Sequence, residues 1–535
     1  MKQFHLKKIR WVIAFIFLSA TAFLFVDFTR LISPRLLDGI LFIQFVPSIL
    51  NFIQKPVFWA SGFILVITLT LFFGRVYCSA FCPLGIMQDI ISRLKFRRSK
   101  RNVFKFRKEH VWWRYGLLVV TIVFLLFGSL FMIDLLDPYS NFGRMMSNLF
   151  RPLYLAGNNL LVTVLEHFDV YALYRVEYKL PNWVALTFPL GFLMLILYMA
   201  GFHGRLYCNT ICPVGTLLGL GSKVSLFKIN IDRSNCTLCG SCSSVCKSNC
   251  IDVKQARVDF SRCVACFNCI PSCSEGGIKY LNTMSSFQRA PVRQGNDNLK
   301  SDNYTIDSNR RKSLILGGSL LSTLLLKASD QKKKIVTDTA KAGEIPFKKQ
   351  YPSSPPGSIS IAHFTSRCTA CHLCVSVCPT QVLQPALLEY GLEGILQPQL
   401  DSSVNFCNFD CVLCSEVCPS GAILPLTIDK KHKTQVGRVH FIKESCVVFT
   451  DKKDCGSCAE HCPTKAVKMV PFEGDLAIPE VDNEVCVGCH ACEYACPTKP
   501  YKAIYVEGNP VHLVAKVPES KVEEAAFKPE DDFPF

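Results

Sequence analysis

Cysteine spacing constrains this chain more than any other feature. "CTLCGSCSSVC" (Cys236, Cys239, Cys242, Cys246) and "CVACFNCIPSC" (Cys263, Cys266, Cys269, Cys273) both read CxxCxxCxxxC. Four more groups follow: Cys368, Cys371, Cys374, Cys378; Cys407, Cys411, Cys414, Cys418; Cys446, Cys455, Cys458, Cys462; and Cys486, Cys489, Cys492, Cys496. Many cysteines in a small secreted chain imply disulfides, but tight CxxC runs favour metal. A structural zinc needs only two CxxC pairs, and this doubled spacing exceeds that. Three close cysteines wrap one cubane and the fourth reaches another. On that rule Cys236, Cys239, Cys242 and Cys273 hold one [4Fe–4S] cluster, and Cys263, Cys266, Cys269 and Cys246 a second. The sixteen later cysteines imply four more, so six are expected. A proline follows the last cysteine in each of the four later groups, whereas Lys247 and Ser274 stand there in the first two. Cys250 is surplus and reads as a buried thiol.

Two of these runs contain "CTACH" and "CVGCH", which match the c-type haem attachment pattern. Attachment would take two ligands from a cluster and orphan the rest, so no haem is expected. His372 and His490 then read as solvated residues beside clusters.

The N-terminal part is apolar. Trp11–Val26 follows Lys2, Lys7, Lys8 and Arg10, the flank of a signal peptide, but no small-residue cleavage site follows it. It reads as a retained helix. Pro56–Gly74, Tyr115–Ile133 and Leu180–Phe202 are uncharged runs near the length that crosses a bilayer. Leu36–Ile53, with Pro47 inside it, reads as an interfacial segment. Arg93–Arg114 carries ten Lys/Arg against Glu109, whereas Asp137–Asn182 balances four basic with four acidic residues. The positive-inside rule places the first loop and the N-terminus in the cytoplasm. The chain's net charge of +17 gathers beside these spans, which argues against a nucleic-acid partner.

Two spans close on nearly the same words, "GRVYCSAFCPLG" and "GRLYCNTICPVG". Residues four apart share a helix face, so Cys78 with Cys82 and Cys208 with Cys212 can converge at the cytoplasmic ends of the helices. Three readings stay open. The four thiols share a seventh cluster; they form a thiol/disulfide relay, with Arg75 and Arg205 lowering their pKa values; or they are packed cysteines beside snorkelling arginines.

Residues 282–360 form a linker. Arg310–Arg311 precede the apolar run Ser313–Leu326, which resembles a twin-arginine export signal at 308–328. Fourteen residues are short for a span, and Lys327 and Lys332–Lys334 oppose the positive-inside rule. "AKAG" at 340–343 has the form of a cleavage site. The acidic end, Glu519 to Asp532, reads as a solvated tail.

With these residues in view, positions 1–280 resemble the NapH family of quinol dehydrogenase membrane subunits, and 308–510 resemble the NapG/MauM ferredoxin-type family. The expected fold is an α-helical membrane domain of four spans (1–222), with 308–328 a candidate fifth. Two bacterial-ferredoxin-like α+β modules follow, at 223–281 and 361–510, then a tail at 511–535. The resemblance implies a protein of the bacterial inner membrane whose second module is periplasmic. It would carry electrons from the quinone pool to an extracytoplasmic oxidoreductase or cytochrome, such as a nitrate reductase. By analogy with four-cluster subunits of molybdenum reductases, groups one and four of the last four would exchange their final cysteines, as would groups two and three. A maturation factor supplying electrons to a metalloenzyme is the alternative, though no Met- or His-rich metal-handling segment is visible. The spans hold no opposed histidine pair for a haem b. Asp134 and Asp137 near the outer end of the third span read as edge carboxylates without a role in quinol chemistry.

Overall fold

A computed structural model of the chain describes residues 4–27, 29, 33–54, 61–98, 104–177, 183–282, 349–499 and 501–516. The twin-arginine-like segment 308–328, the sequence at 340–343 and the end of the acidic tail lie outside the described residues, as does most of the linker.

Continuous apolar runs give long helices. Helix α1 (Phe4–Val26) and α11 (Trp183–His203) are each long and apolar enough to cross a membrane. Between them lie α2 (Pro34–Phe42) and α3 (Phe45–Gln54), a pair bent by 101°. That bend makes a broken span or a re-entrant loop of the segment expected to lie at the interface. Helix α4 (Gly62–Phe73) and α7 (Val111–Leu126) are apolar but only 12 and 16 residues long. The expected span Tyr115–Ile133 is interrupted because Gly128 adopts φ 77°, a backbone region that glycine enters without steric cost. Helix α8 (Phe131–Leu136) starts afresh after it. Among the described residues the fold therefore has a few candidate spans, not four uniform ones.

The segment after α8 is helical where a loop was expected. Asp137 accepts from the Ser140 amide at 2.8 Å and caps α9 (Pro138–Met145), with Pro138 in its first turn. A π-helical turn, Met146–Phe150, leads into α10 (Arg151–Glu166).

The cysteine-rich parts fold into small two-stranded sheets. In the first, β1 (Phe227–Ile231) pairs antiparallel with β4 (Ile278–Asn282), and β2 (Ile251–Asp252) with β3 (Arg257–Val258). In the second, β5 (Leu383–Pro385) pairs with β6 (Pro398–Leu400), β7 (Thr434–Phe441) with β10 (Ile504–Val514), and β8 (Val467–Pro471) with β9 (Ala477–Val481). Two strands alone are marginal in water. Here cysteines stand among the aliphatic side chains in the buried core of each module.

Helix α1 orders the layers. Leu6, in its first turn, packs on the core of the first module. Phe17 meets Phe81 edge-on at 4.8 Å, between Cys78 and Cys82 in sequence. Phe25 meets Tyr139 at 5.8 Å. Its ring and the Cys371 carbonyl of the second module both abut Gly143. At 1.5 Å per residue, Leu6 and Phe25 stand about 29 Å apart. The two modules thus engage opposite ends of α1, and the first CxxxCP turn lies against its middle.

Candidate iron–sulfur centres and their linkage

The repeated words have one local explanation. Gly74 (φ 78°) and Gly204 (φ 66°) end α4 and α11. One-turn helices follow, α5 (Tyr77–Ala80) and α12 (Leu206–Thr210). Pro83 and Pro213 then open α6 (Pro83–Arg98) and α13 (Pro213–Ser222), where a missing N–H costs nothing. The cysteines therefore sit on separate short turns directly after the ends of α4 and α11, and the first of these turns packs beside the middle of α1. All four thiols are buried, and each interacts electrostatically with the other three.

The two arginines are exchanged between the copies. Arg75 donates to the Cys208 carbonyl at 3.0 Å and to Asn209 Oδ1 at 2.9 Å. Arg205 donates to the Cys78 carbonyl and, through Nε, to Asp89 Oδ1 at 2.8 Å. Both are fully buried, so neither snorkels as the packing reading supposed. Asp89, unmarked in the sequence, gathers Arg10 at 3.0 Å, Arg205 at 2.8 Å and Lys247 at 3.5 Å. The last glycine of each motif explains itself. A Cβ on Gly85 would run into the Cys78 carbonyl, and one on Gly215 into the Cys208 carbonyl, with the crossing arginine behind each. Gly85→Ala and Gly215→Ala should each destabilise the chain by about 1–3 kcal/mol through overpacking. Thermal unfolding in detergent checks this against Gly116→Ala, where a Cβ meets nothing within 4 Å.

In the modules the cysteines ring small cavities. Cys236, Cys239, Cys242 and Cys273 line one. Cys246, Cys263, Cys266 and Cys269 line another, with Cys250 also in its wall. Cys446, Cys455, Cys458 and Cys496 surround a third, and Cys462, Cys486, Cys489 and Cys492 a fourth. Burial, then the neighbouring thiols Cys368, Cys371 and Cys418, push the Cys374 thiol up. Burial, then Cys407 and Cys378, do the same to Cys414; Cys411 is a further neighbour there. Groups one and two of the second module thus exchange final cysteines, and so do groups three and four. This corrects the exchange of one with four and two with three. Groups one and two share one core, and groups three and four another, so each exchange is closed within its own half.

Among the described residues no three His, Cys, Asp or Glu side chains converge tightly enough for a single ion. The donors are instead sets of four sulfurs spread around a cavity, and buried thiols that resist ionisation fit a ligand that brings its own positive charge.

Residues 56–102 and 184–232, which hold the two CxxxCP turns, match the 4Fe-4S binding domain family. Residues 367–423 and 453–499 each match a 4Fe-4S dicluster domain. The first encloses groups one and two; the second encloses group four and all of group three but Cys446. The ferredoxin-type protein NapF of Escherichia coli (strain K12) is 26% identical over 135 residues, 25% of this chain and 74% of that protein. The methylamine utilization ferredoxin-type protein MauM of Methylobacillus flagellatus is 30% identical over 147 residues, 25% of this chain and 59% of its own length. The ferredoxin-type protein NapG of Escherichia coli (strain K12) is 30% identical over 145 residues, 25% of this chain and 62% of its own length. No solved structure matches. The chain is a homologue of ferredoxin-type proteins. It carries several 4Fe–4S-binding domains and has a general electron-transfer role.

Four side chains stand differently from expectation. His372 and His490 are buried, not solvated. Leu396 O lies 2.8 Å from His372 Nε2 and can only accept, so Nε2 carries the proton and Nδ1 accepts from Asn148 Nδ2 at 2.9 Å. Burial holds this ring neutral, with its pKa pushed down to about 3. No ring nitrogen of His372 is left for a haem iron. His490 Nδ1 lies 3.0 Å from Glu493, which Lys349 also binds at 2.6 Å. Asp137 is engaged as the α9 cap, and Asp134 accepts from Gln397 of the second module at 3.1 Å. Both are buried, not at an edge.

Cys250 lies 3.5 Å from the sulfur of Cys246 and is buried. Cys250→Ser should leave iron content unchanged, whereas Cys269→Ser should cost about four iron, one cubane. Iron and acid-labile sulfide assays separate the two.

Proposed function

We propose that this chain is a membrane-bound iron–sulfur electron-transfer protein with its two modules on opposite faces of the bilayer. It takes electrons from membrane quinol and delivers them to an extracytoplasmic oxidoreductase of the nitrate-reductase kind. The layering along α1 carries this reading. About 29 Å at helical rise matches the hydrocarbon thickness of a bilayer; at that separation Leu6 packs on the first module and Phe25 shares a buried cluster with Cys371 and Leu373 of the second. One continuous core joins the four CxxxCP thiols to Val264 of the first module and to Cys371 and Leu373 of the second, with Cys266 packed against it.

[4Fe–4S] clusters, when bound, supply one-electron carriers at each ring of cysteines. The chain's own residues do the rest. Arg75 and Arg205 bring positive charge to the four thiols without solvent. Tyr77 and Tyr207 interact with those thiols and with Asp137, and Tyr139 interacts with both Asp137 and Cys371. Asn148 and Gln397 fasten the second module to α8 and the π-helical turn.

The test is reduction of the clusters by a reduced quinone in proteoliposomes containing the full chain, followed by electron paramagnetic resonance. Sustained quinol-dependent turnover with an external acceptor is the expected outcome. Reduction that occurs only while a partner metal centre is being assembled would favour the maturation role, and no reduction by quinol would overturn the donor.

A further inference from the structure

A cavity of about 860 Å³ opens on the first module, between β1, β3 and the segment that enters α7. Its wall carries Lys108, Lys223, Lys228 and Arg257. Three carboxylates share the wall. Glu109 is paired with Arg114 and Asp259 with Arg262 at 2.6 Å, while Asp252 stands opposite Arg257 in the β2–β3 register and offsets one charge, which leaves the lysines in surplus. Among the described residues none of the four cations has a carboxylate within ion-pair distance. Two of them are held in place by aromatic rings. Lys223 lies 5.8 Å over Tyr115 and bonds its hydroxyl at 3.4 Å. Lys228 lies 5.2 Å over Phe260 and donates to the Lys223 carbonyl at 2.7 Å. The cavity has the size of a ligand site, and its uncompensated charge calls for an anion.

Its depth says which anion. Trp112 and Trp113, 75% and 71% exposed, stand in the first turn of α7, with Tyr115 just beyond. Exposed tryptophans and tyrosine at the start of an apolar helix mark the headgroup layer. Lys108 lies immediately before that turn, and basic pockets at the cytoplasmic headgroup level hold phosphate-bearing lipids. We propose that this cavity binds the headgroup of an anionic phospholipid through Lys108, Lys223, Lys228 and Arg257, seating the first module on the membrane surface. The proposal rests on the membrane reading above.

The shared chemistry is a phosphate, so the test separates lipid from soluble sources. The full chain, delipidated in detergent, is titrated with cardiolipin, phosphatidylcholine or inorganic phosphate and followed by native mass spectrometry. Cardiolipin should stay bound and the other two should not. K223E/K228E should weaken cardiolipin binding by at least about tenfold, by loss of surface attraction, with iron content unchanged. R257E, on a different strand, should weaken it independently, and K223R/K228R should retain it. Equal retention of phosphatidylcholine, unchanged binding by K223E/K228E and R257E, or preferential binding of inorganic phosphate would overturn the assignment. Membrane fractionation tests the underlying reading separately: a chain found in the membrane fraction with an indifferent pocket overturns this inference alone.

Discussion

Changing Cys78, Cys82, Cys208 and Cys212 together to Ser should lower iron from about 28 to about 24 per chain, the content of one cubane. Acid-labile sulfide should fall in step, and one signal should vanish from the reduced spectrum. The expectation rests on convergence. Every pair among the four thiols is close enough to interact, all four are shut from solvent, and two arginines point positive charge at the turns that carry them. A buried set of free thiols has no need of two fully buried guanidiniums. A cluster with four thiolate ligands does, because the net negative charge of the thiolates must be offset in a low-dielectric layer. Retention of the full iron content would instead leave these residues as a thiol relay or as packing, and the connection between the modules would have to run elsewhere.

Asp89→Asn should destabilise the chain by about 3–5 kcal/mol, the cost of leaving buried charge without its partner. One carboxylate answers Arg10, Arg205 and Lys247, which come from three different parts of the chain. Its side chain is 2% exposed, and those of the two arginines are 3% and 0%, so water cannot take over. The substitution keeps the shape and removes only the charge. It also frees Arg205, whose other contact is the Cys78 carbonyl. Iron loss at the four-thiol centre should therefore accompany a lower unfolding midpoint in detergent. An unchanged midpoint would mean that the three cations are compensated by something other than Asp89.

Much of the candidate site was legible in the chain itself. CxxCxxCxxxC spacing expresses the reach of a short loop around a cubane, so the cysteine groups announce themselves without any knowledge of the fold. Asp89 did not, because a lone acid within a helix looks like any other. The burial of His372 and His490 was also hidden: each follows a cysteine on a tight turn with φ 65° and 68°, and only the packing of Asn148 or Glu493 against the ring shows where it faces.

The sequence by itself determined what nearest neighbours decide. Glycine at φ 78° and 66° ends α4 and α11, proline starts the helices after each CxxxCP turn, and four-cysteine groups fill cores that two-stranded sheets cannot. Only the tertiary structure decided the burial of the four thiols, the exchange of Arg75 and Arg205, the pairing of cysteine groups within halves, and the place of each module along α1. Those contacts join residues as far apart as Arg75 and Asn209, 134 positions, or Asn148 and His372, 224 positions. The physical reason is burial. A charge or polar group leaves water only where a partner meets it. Which distant partner does so is set by how helices and turns pack, and no local spacing records it.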